Sequence, residues 1–278
     1  MRGVRHLVAA LMLTGSALAF VPAHAATITL NATVRDFCGW NFSGCPAGYS
    51  PNPDFENGLG DSHGVVQTTL GGDGTPVYAA GAHPTFYGTD TVPALGTLTA
   101  AQYFGQWFHD TAGFNQTTTI GLTFTDPGTG IYTYNNPSFF PIDNQLLGNQ
   151  GQGHNFSFTT QLHTTFTYQT GQTFSFTGDD DVWVFLNNQL AIDLGGVHGA
   201  ESTLVNLNTL GLTAGNTYNF DLFFAERHTS ASDLRIDTSI VFNPNPPVEG
   251  VPEPVTISLF SMGLAGAVAI RRRNKKSR

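Results

Sequence analysis

The sequence predicts an all-β protein: an antiparallel β-sandwich or jelly-roll-like ectodomain, residues 26–242, flanked by a signal peptide and a C-terminal transmembrane helix. Three observations carry this. Short segments alternating apolar and polar residues recur through residues 119–242, punctuated by Gly, Asn and Pro, which is the pattern of half-buried strands joined by turns. Helical spacing is confined to one stretch, Leu98 to His109. Each end of the chain carries an apolar run with a basic flank.

At the N-terminus, Arg2 and Arg5 precede the apolar run Leu7 to Phe20, and Ala23-His24-Ala25 follows it. That is the three-part plan of a secretory signal, with signal peptidase cutting after Ala25; the run is too short for a permanent anchor. At the C-terminus the Pro-rich linker 243–250 leads to Pro252-Glu253-Pro254, an uncharged stretch from Val255 to Ile270 and a cluster of six basic residues. An apolar segment followed at once by basic residues reads as a stop-transfer helix. Sixteen residues make about 24 Å of helix, short of a hydrocarbon core of ~30 Å. Residues 251–278 resemble the PEP-CTERM sorting signal of exosortase systems. The resemblance implies transient anchoring in the inner membrane, cleavage near Pro252–Pro254 by an exosortase-type enzyme, and transfer to the cell surface or extracellular matrix.

Between the two ends, residues 26–250 hold nineteen carboxylates against Arg35, Arg227 and Arg235, with no lysine, for a net charge near −16. Such a surface repels nucleic acid and anionic lipid and favours divalent cations and neutral partners. Abundant Phe, alternating with polar residues, argues against disorder. In an exported chain Cys38 and Cys45 are expected to form a disulfide; their spacing fits neither C-x-x-C nor a zinc arrangement.

Strands are expected over 119–125, 156–158, 164–168, 173–177, 182–186, 218–224 and 235–242. The segment 173–199, TFSFTGDDDVWVFLNNQLAIDLGGVHG, is the most informative. Val182, Val184 and Leu186 point one way and Trp183 and Phe185 the other, so this strand is apolar on both faces and central. Asn187-Asn188 suits a type I′ hairpin turn, whose left-handed conformations Asn tolerates. Before the strand, Asp179, Asp180 and Asp181 lie in succession. Unit charges about 4 Å apart repel by ~1 kcal/mol in water and more in a lower dielectric. Either the turn is exposed and solvated, or it holds a hard cation such as Ca²⁺, which takes 6–8 oxygen ligands. One turn cannot supply so many, and the polar loop Glu226–Asp233 is the natural second contributor, through Glu226, Ser230, Asp233 and free carbonyls.

From about Arg35 to Phe242 the chain resembles the fibro-slime domain family, in the stretches RDF (35–37), NPDFEN (52–57), QWFHDTAGFN (106–115), FFPID (139–143), HNFSFT (154–159), GDDDVWVFLNNQLAIDLGGVH (178–198) and FFAERHTSASDLRI (223–236). That family is similar in turn to the protective-antigen-type β-sandwich of fungal flocculins and bacterial adhesins. There an Asp-Asp pair, often joined by a cis peptide, holds Ca²⁺ and through it sugar hydroxyls. The resemblance implies that role for Asp179 and Asp180, with Asp181 where Gly is common and Asp193 ending the matching hairpin. The implied partner is an extracellular glycan or exopolysaccharide, in a surface or biofilm-matrix setting. Asp179, Asp180, Asp181 and Asp233 are therefore the expected metal ligands, with Asp193, His198, Glu226 and His228 beside the bound ligand.

Catalysis is not expected. Paired carboxylates also cleave glycosides, and Glu226 opposite the aspartates could form such a pair. However, acids clustered on one turn hold a cation better than they divide into acid and base, and neither G-x-S-x-G nor H-E-x-x-H occurs. Arg227 and Arg235 are expected to pair with carboxylates. A structural matrix protein, with calcium serving only stability, is the alternative.

Overall fold

The computed structural model describes residues 25–56, 60–79 and 98–244. The signal segment, its cleavage site through His24, most of the Pro-rich linker, the Pro252-Glu253-Pro254 motif and the apolar run 255–270 lie outside the described residues. Among those described, no helix is long and apolar enough to cross a membrane.

The protein is all-β, as its alternation requires. In chain order the strands are β1 (Ala26–Phe37), β2 (Gly60–Asp61), β3 (Asn115–Asp126), β4 (Tyr132–Asn136), β5 (Phe158–Thr167), β6 (Thr173–Asp179), β7 (Asp181–Leu186), β8 (Gln189–Leu194), β9 (Gly196–Val197), β10 (Glu201–Asn206), β11 (Thr217–Glu226), β12 (Asp233–Thr238) and β13 (Phe242–Asn243). Ten of them run β10-β6-β12-β4-β3-β1-β5-β11-β7-β8, with β13 pairing β5. Every ladder between these strands is antiparallel. β1 and β3 pair along their whole lengths, whereas β3 meets β4 only at Thr125–Thr133. At that joint the sheet turns over on itself. Phe174 of β6 then lies 5.0 Å from Phe220 of β11, across the enclosed core.

β7 is the central two-faced strand its sequence predicts. Val182, Val184 and Leu186 enter the sandwich core, while Trp183 and Phe185 enter a second core on the outer face. The second core is roofed by the long β1–β3 connection, with Phe55, Phe104, Trp107 and Phe108 packed over Trp183 and Phe223. The helix expected over 98–109 is shorter than its spacing suggests. Only α1 (Ala100–Phe104) is helical, with a Thr99/Gln102 capping box. Beyond Gly105 the chain continues in turns, which bring Trp107 and Phe108 onto the sheet. Asn187 and Asn188 adopt φ of 51° and 64°, the expected hairpin turn. The Cys38–Cys45 disulfide is present.

Candidate functional site

The three aspartates stand where the chain changes layers. β6 pairs with β10 and β12, and β7 with β11 and β8; Asp180 alone separates β6 from β7, and the Asp179–Asp180 peptide is cis. Gly178 permits the approach of β12, since a Cβ there would run into the carbonyl of Asp233. The turn is not the solvated one that the sequence left open: Asp179, Asp180 and Asp181 are 5%, 5% and 0% exposed.

Each carboxylate has a different environment. Asp181 faces the outer core, where its oxygens accept from Arg227 Nε at 2.5 Å and Nη2 at 3.2 Å, and from the Gly196 amide at 2.6 Å. Arg227 is itself fully buried, donates Nη1 to the Asp54 carbonyl at 2.9 Å and lies 5.0 Å over the Trp107 ring. The expectation that Arg227 and Arg235 pair with carboxylates is met, Arg235 by Asp237. As for Asp181, expected among the metal ligands, the structure gives it to the arginine. Asp179 and Asp180 remain: Asp179 Oδ1 accepts from the Asp233 amide at 2.5 Å, and Asp180 Oδ2 from the Arg227 amide at 2.9 Å.

A cavity of about 260 Å³ opens beside this pair, walled by Val197–Gly199 on one side and His228–Ala231 on the other. His198 and His228 therefore border it, as expected. Asp233, an expected ligand, contributes its backbone amide to Asp179. Asp193, expected beside the ligand, instead joins two segments: it accepts from Trp183 Nε1 at 3.0 Å and from the Gly64 amide at 2.7 Å. Glu226 lies fully buried outside the cavity wall, and its Oε1 accepts from the His228 amide at 3.3 Å.

Burial pushes the Asp180 carboxyl up to about 7, outweighing the opposite pull of Arg227, and the charges of Asp181 and Asp179 add to the rise. Asp179 is raised by burial, and Glu226 well above the carboxylate range by burial and then by Asp180. Burial works to lower His198, but the Gly199 carbonyl and the carboxylates of Glu201 and Asp181 outweigh it and raise that histidine.

A further contributor is not singled out by its residue type. Glu56, within the NPDFEN stretch, accepts from Thr229 Oγ1 at 2.8 Å and from the Thr229 amide at 3.1 Å. NPDFEN was the available signal, although nothing in it says which loop it meets.

Among the described residues no three His, Cys, Asp or Glu side chains are grouped to hold one metal ion, so a cage of side chains alone does not fit. A hard cation fits better: the pair Asp179–Asp180 and the hydroxyls and carbonyls of 228–231 make an oxygen-rich donor set.

Fold and cleft together define a β-sandwich domain with an acidic, oxygen-lined pocket at a strand crossover. More particularly, residues 148–245 match the model of the PA14 domain family. Among curated proteins, the chain is similar to Protein psiR of Dictyostelium discoideum, 41% identical over 78% of this chain and 21% of that protein. It is also similar to Protein psiD of the same organism, 45% identical over 64% of this chain and 36% of that protein. The chain thus spans about a fifth to two fifths of the curated relatives it matches. Of solved structures, the PA14 sugar-binding domain from RTX adhesin is 14% identical, over 41% of this chain and 74% of that one, at a TM-score of 0.27.

Proposed function

We propose that this protein is an exported, fibro-slime-type surface or matrix module that binds a neutral glycan through Ca²⁺ held at Asp179 and Asp180. The observation that carries the reading is a charge imbalance. Asp179, Asp180, Asp181 and Glu226 are at most 5% exposed, and Arg227 is the buried cation paired with one of them. Burial raises Glu226 toward its neutral form, and a divalent ion together with Arg227 would offset the charges of Asp179, Asp180 and Asp181. Buried charge without such compensation is costly. Bound calcium would supply a coordination point for sugar hydroxyls. The chain's own part is to aim one carboxylate edge each of Asp179 and Asp180 at the cleft, their other oxygens being fixed by backbone amides. His198, His228 and Ser230 then stand at the rim as polar contacts for the sugar. A catalytic role for Glu226 is disfavoured, because a fully buried carboxyl cannot reach a glycosidic oxygen.

The test is a glycan array and thermal melts on wild type and Asp180→Asn, in chelator and in millimolar Ca²⁺. Calcium at a hundredfold excess over its Kd should stabilise wild type by about 2.7 kcal/mol. Asp180→Asn should lose that response while keeping the calcium-free fold. Glycan binding should vanish in chelator. Loss of fold in chelator with no glycan bound would instead support calcium as a structural element of a matrix protein. Identical wild-type melts in both buffers would end the calcium reading.

A further inference from the structure

We propose that Glu56 is a positioning residue that sets the second wall of the cleft, holding Thr229 and through it the loop His228–Ala231 against Asp179–Asp180. This rests on reading the cleft as a calcium site.

The loop is tied to the aspartate pair at both ends: Arg227 donates its amide to Asp180, and Asp233 donates its amide to Asp179. Five residues lie between these ties, and their apex has to be held from elsewhere. Glu56 does so with both carboxylate oxygens, Oε1 taking the Thr229 hydroxyl and Oε2 its amide. A third bond, from the Glu56 amide to the Arg227 carbonyl at 2.6 Å, registers Glu56 against the base of the same loop. Thr229 thus directs both its hydroxyl proton and its amide at Glu56, while its carbonyl lies 3.0 Å from His228 Nδ1.

The residues before Glu56 place it for this. It adopts φ of +65°, a conformation that side-chain-bearing residues rarely take unless their surroundings impose it. Those surroundings are the preceding residues. Phe55 stacks on Phe37 with ring centroids 4.5 Å apart, the Asp54 carbonyl receives Arg227 Nη1, and Asp54 Oδ2 receives Trp107 Nε1 at 3.0 Å. The β1–β3 connection therefore does more than roof the second core. It delivers one carboxylate, more than 170 residues away in sequence, to the loop opposite the aspartates.

The test is calorimetric titration of Ca²⁺ alone into full-length wild type, Glu56→Gln, Thr229→Val and the double variant, with melts of each in chelator. Each single change should weaken calcium binding by about tenfold or more, as loss of an outer partner of a metal site commonly does. The double variant should be no weaker than the worse single one, and the chelator melts should match wild type. Thr229→Val carries no charge change, so undiminished calcium affinity in that variant would reduce Glu56 to a remote charge and overturn the assignment. Multiplying effects in the double variant, or a drop confined to the chelator melt, would overturn it too. Wild type that binds calcium no differently from all three variants refutes the role of Glu56 alone; wild type that binds none refutes the calcium reading as well.

Discussion

Replacing Arg227 by Met should be among the most damaging single changes to the fold. Arg227 and Asp181 have side chains 0% and 1% exposed, joined by two nitrogen–oxygen contacts of 2.5 and 3.2 Å. Met keeps the aliphatic stem but loses the guanidinium that lies 5.0 Å over the Trp107 ring. What remains is Asp181 with one amide donor, Gly196, and an Asp54 carbonyl stripped of Arg227 Nη1. Breaking one side of a buried pair costs about 3–5 kcal/mol, because the other charge stays buried and uncompensated. For a domain of this size each kcal/mol lowers Tm by about 2–4 °C, giving a fall of roughly 6–20 °C. Removing the second charge too, in Arg227→Met/Asp181→Leu, should recover much of this. Calorimetric melts of wild type, single and double variants in chelator are the measurement. A single variant destabilised by less than about 1 kcal/mol, far below the buried-pair range, would refute the argument. So would a double variant no more stable than the single.

Asp36 and Asp54 should make the calcium-free protein less stable as pH rises. Burial lifts both from 3.8 to about 7, so the folded state holds their protons more tightly than the unfolded chain. Their contribution is full below about pH 4 and lost as pH climbs through about 7, at most about 4 kcal/mol each; urea denaturation at pH 5 and 8 should show the drop, and Asp36→Asn should flatten it. The Cys38–Cys45 bridge closes a short loop, so Cys38→Ser/Cys45→Ser should cost at most about 2–3 kcal/mol on the chain-entropy estimate; an unchanged melting temperature would deny it any stabilising role. The exported protein should begin at Ala26, which N-terminal sequencing decides. Replacing Pro252-Glu253-Pro254 should trap it in the inner membrane, and release equal to wild type would end the sorting reading.

How much of the fold is legible in the sequence depends on whether an element is set locally or from a distance. β7 is plain from its residues, because apolar side chains on both faces leave no place but the middle of a sheet between two cores. The following turn is equally plain, since Asn187-Asn188 carries its own conformational preference. The two-residue strands β2, β9 and β13 have no such pattern. Gly60–Asp61 becomes a strand because it pairs with Gly196–Val197, more than a hundred positions away. The overlong helix has the same origin. Leu98 to His109 has helical spacing, but Trp107 and Phe108 gain more from packing over Trp183 and Phe223 than from another turn of helix.

The site divides along the same line. Chemistry identifies the aspartate triplet at once, but residue type cannot say which of three adjacent carboxylates faces a ligand. Arg227, forty-six positions from Asp181, decides that by taking one carboxylate into the outer core and leaving Asp179 and Asp180 at the cleft. Nor does sequence reveal the burial of the triplet, since three consecutive acids are by composition the mark of a solvated turn. They are buried because a single residue carries the chain from one layer to the other, with β12 closing over Gly178 and the 226–233 loop over Asp180. Once buried, the acids differ in what offsets them: Asp181 has Arg227, burial raises Glu226 toward its neutral form, and the pair at the cleft has backbone amides, with calcium as the proposed counterion.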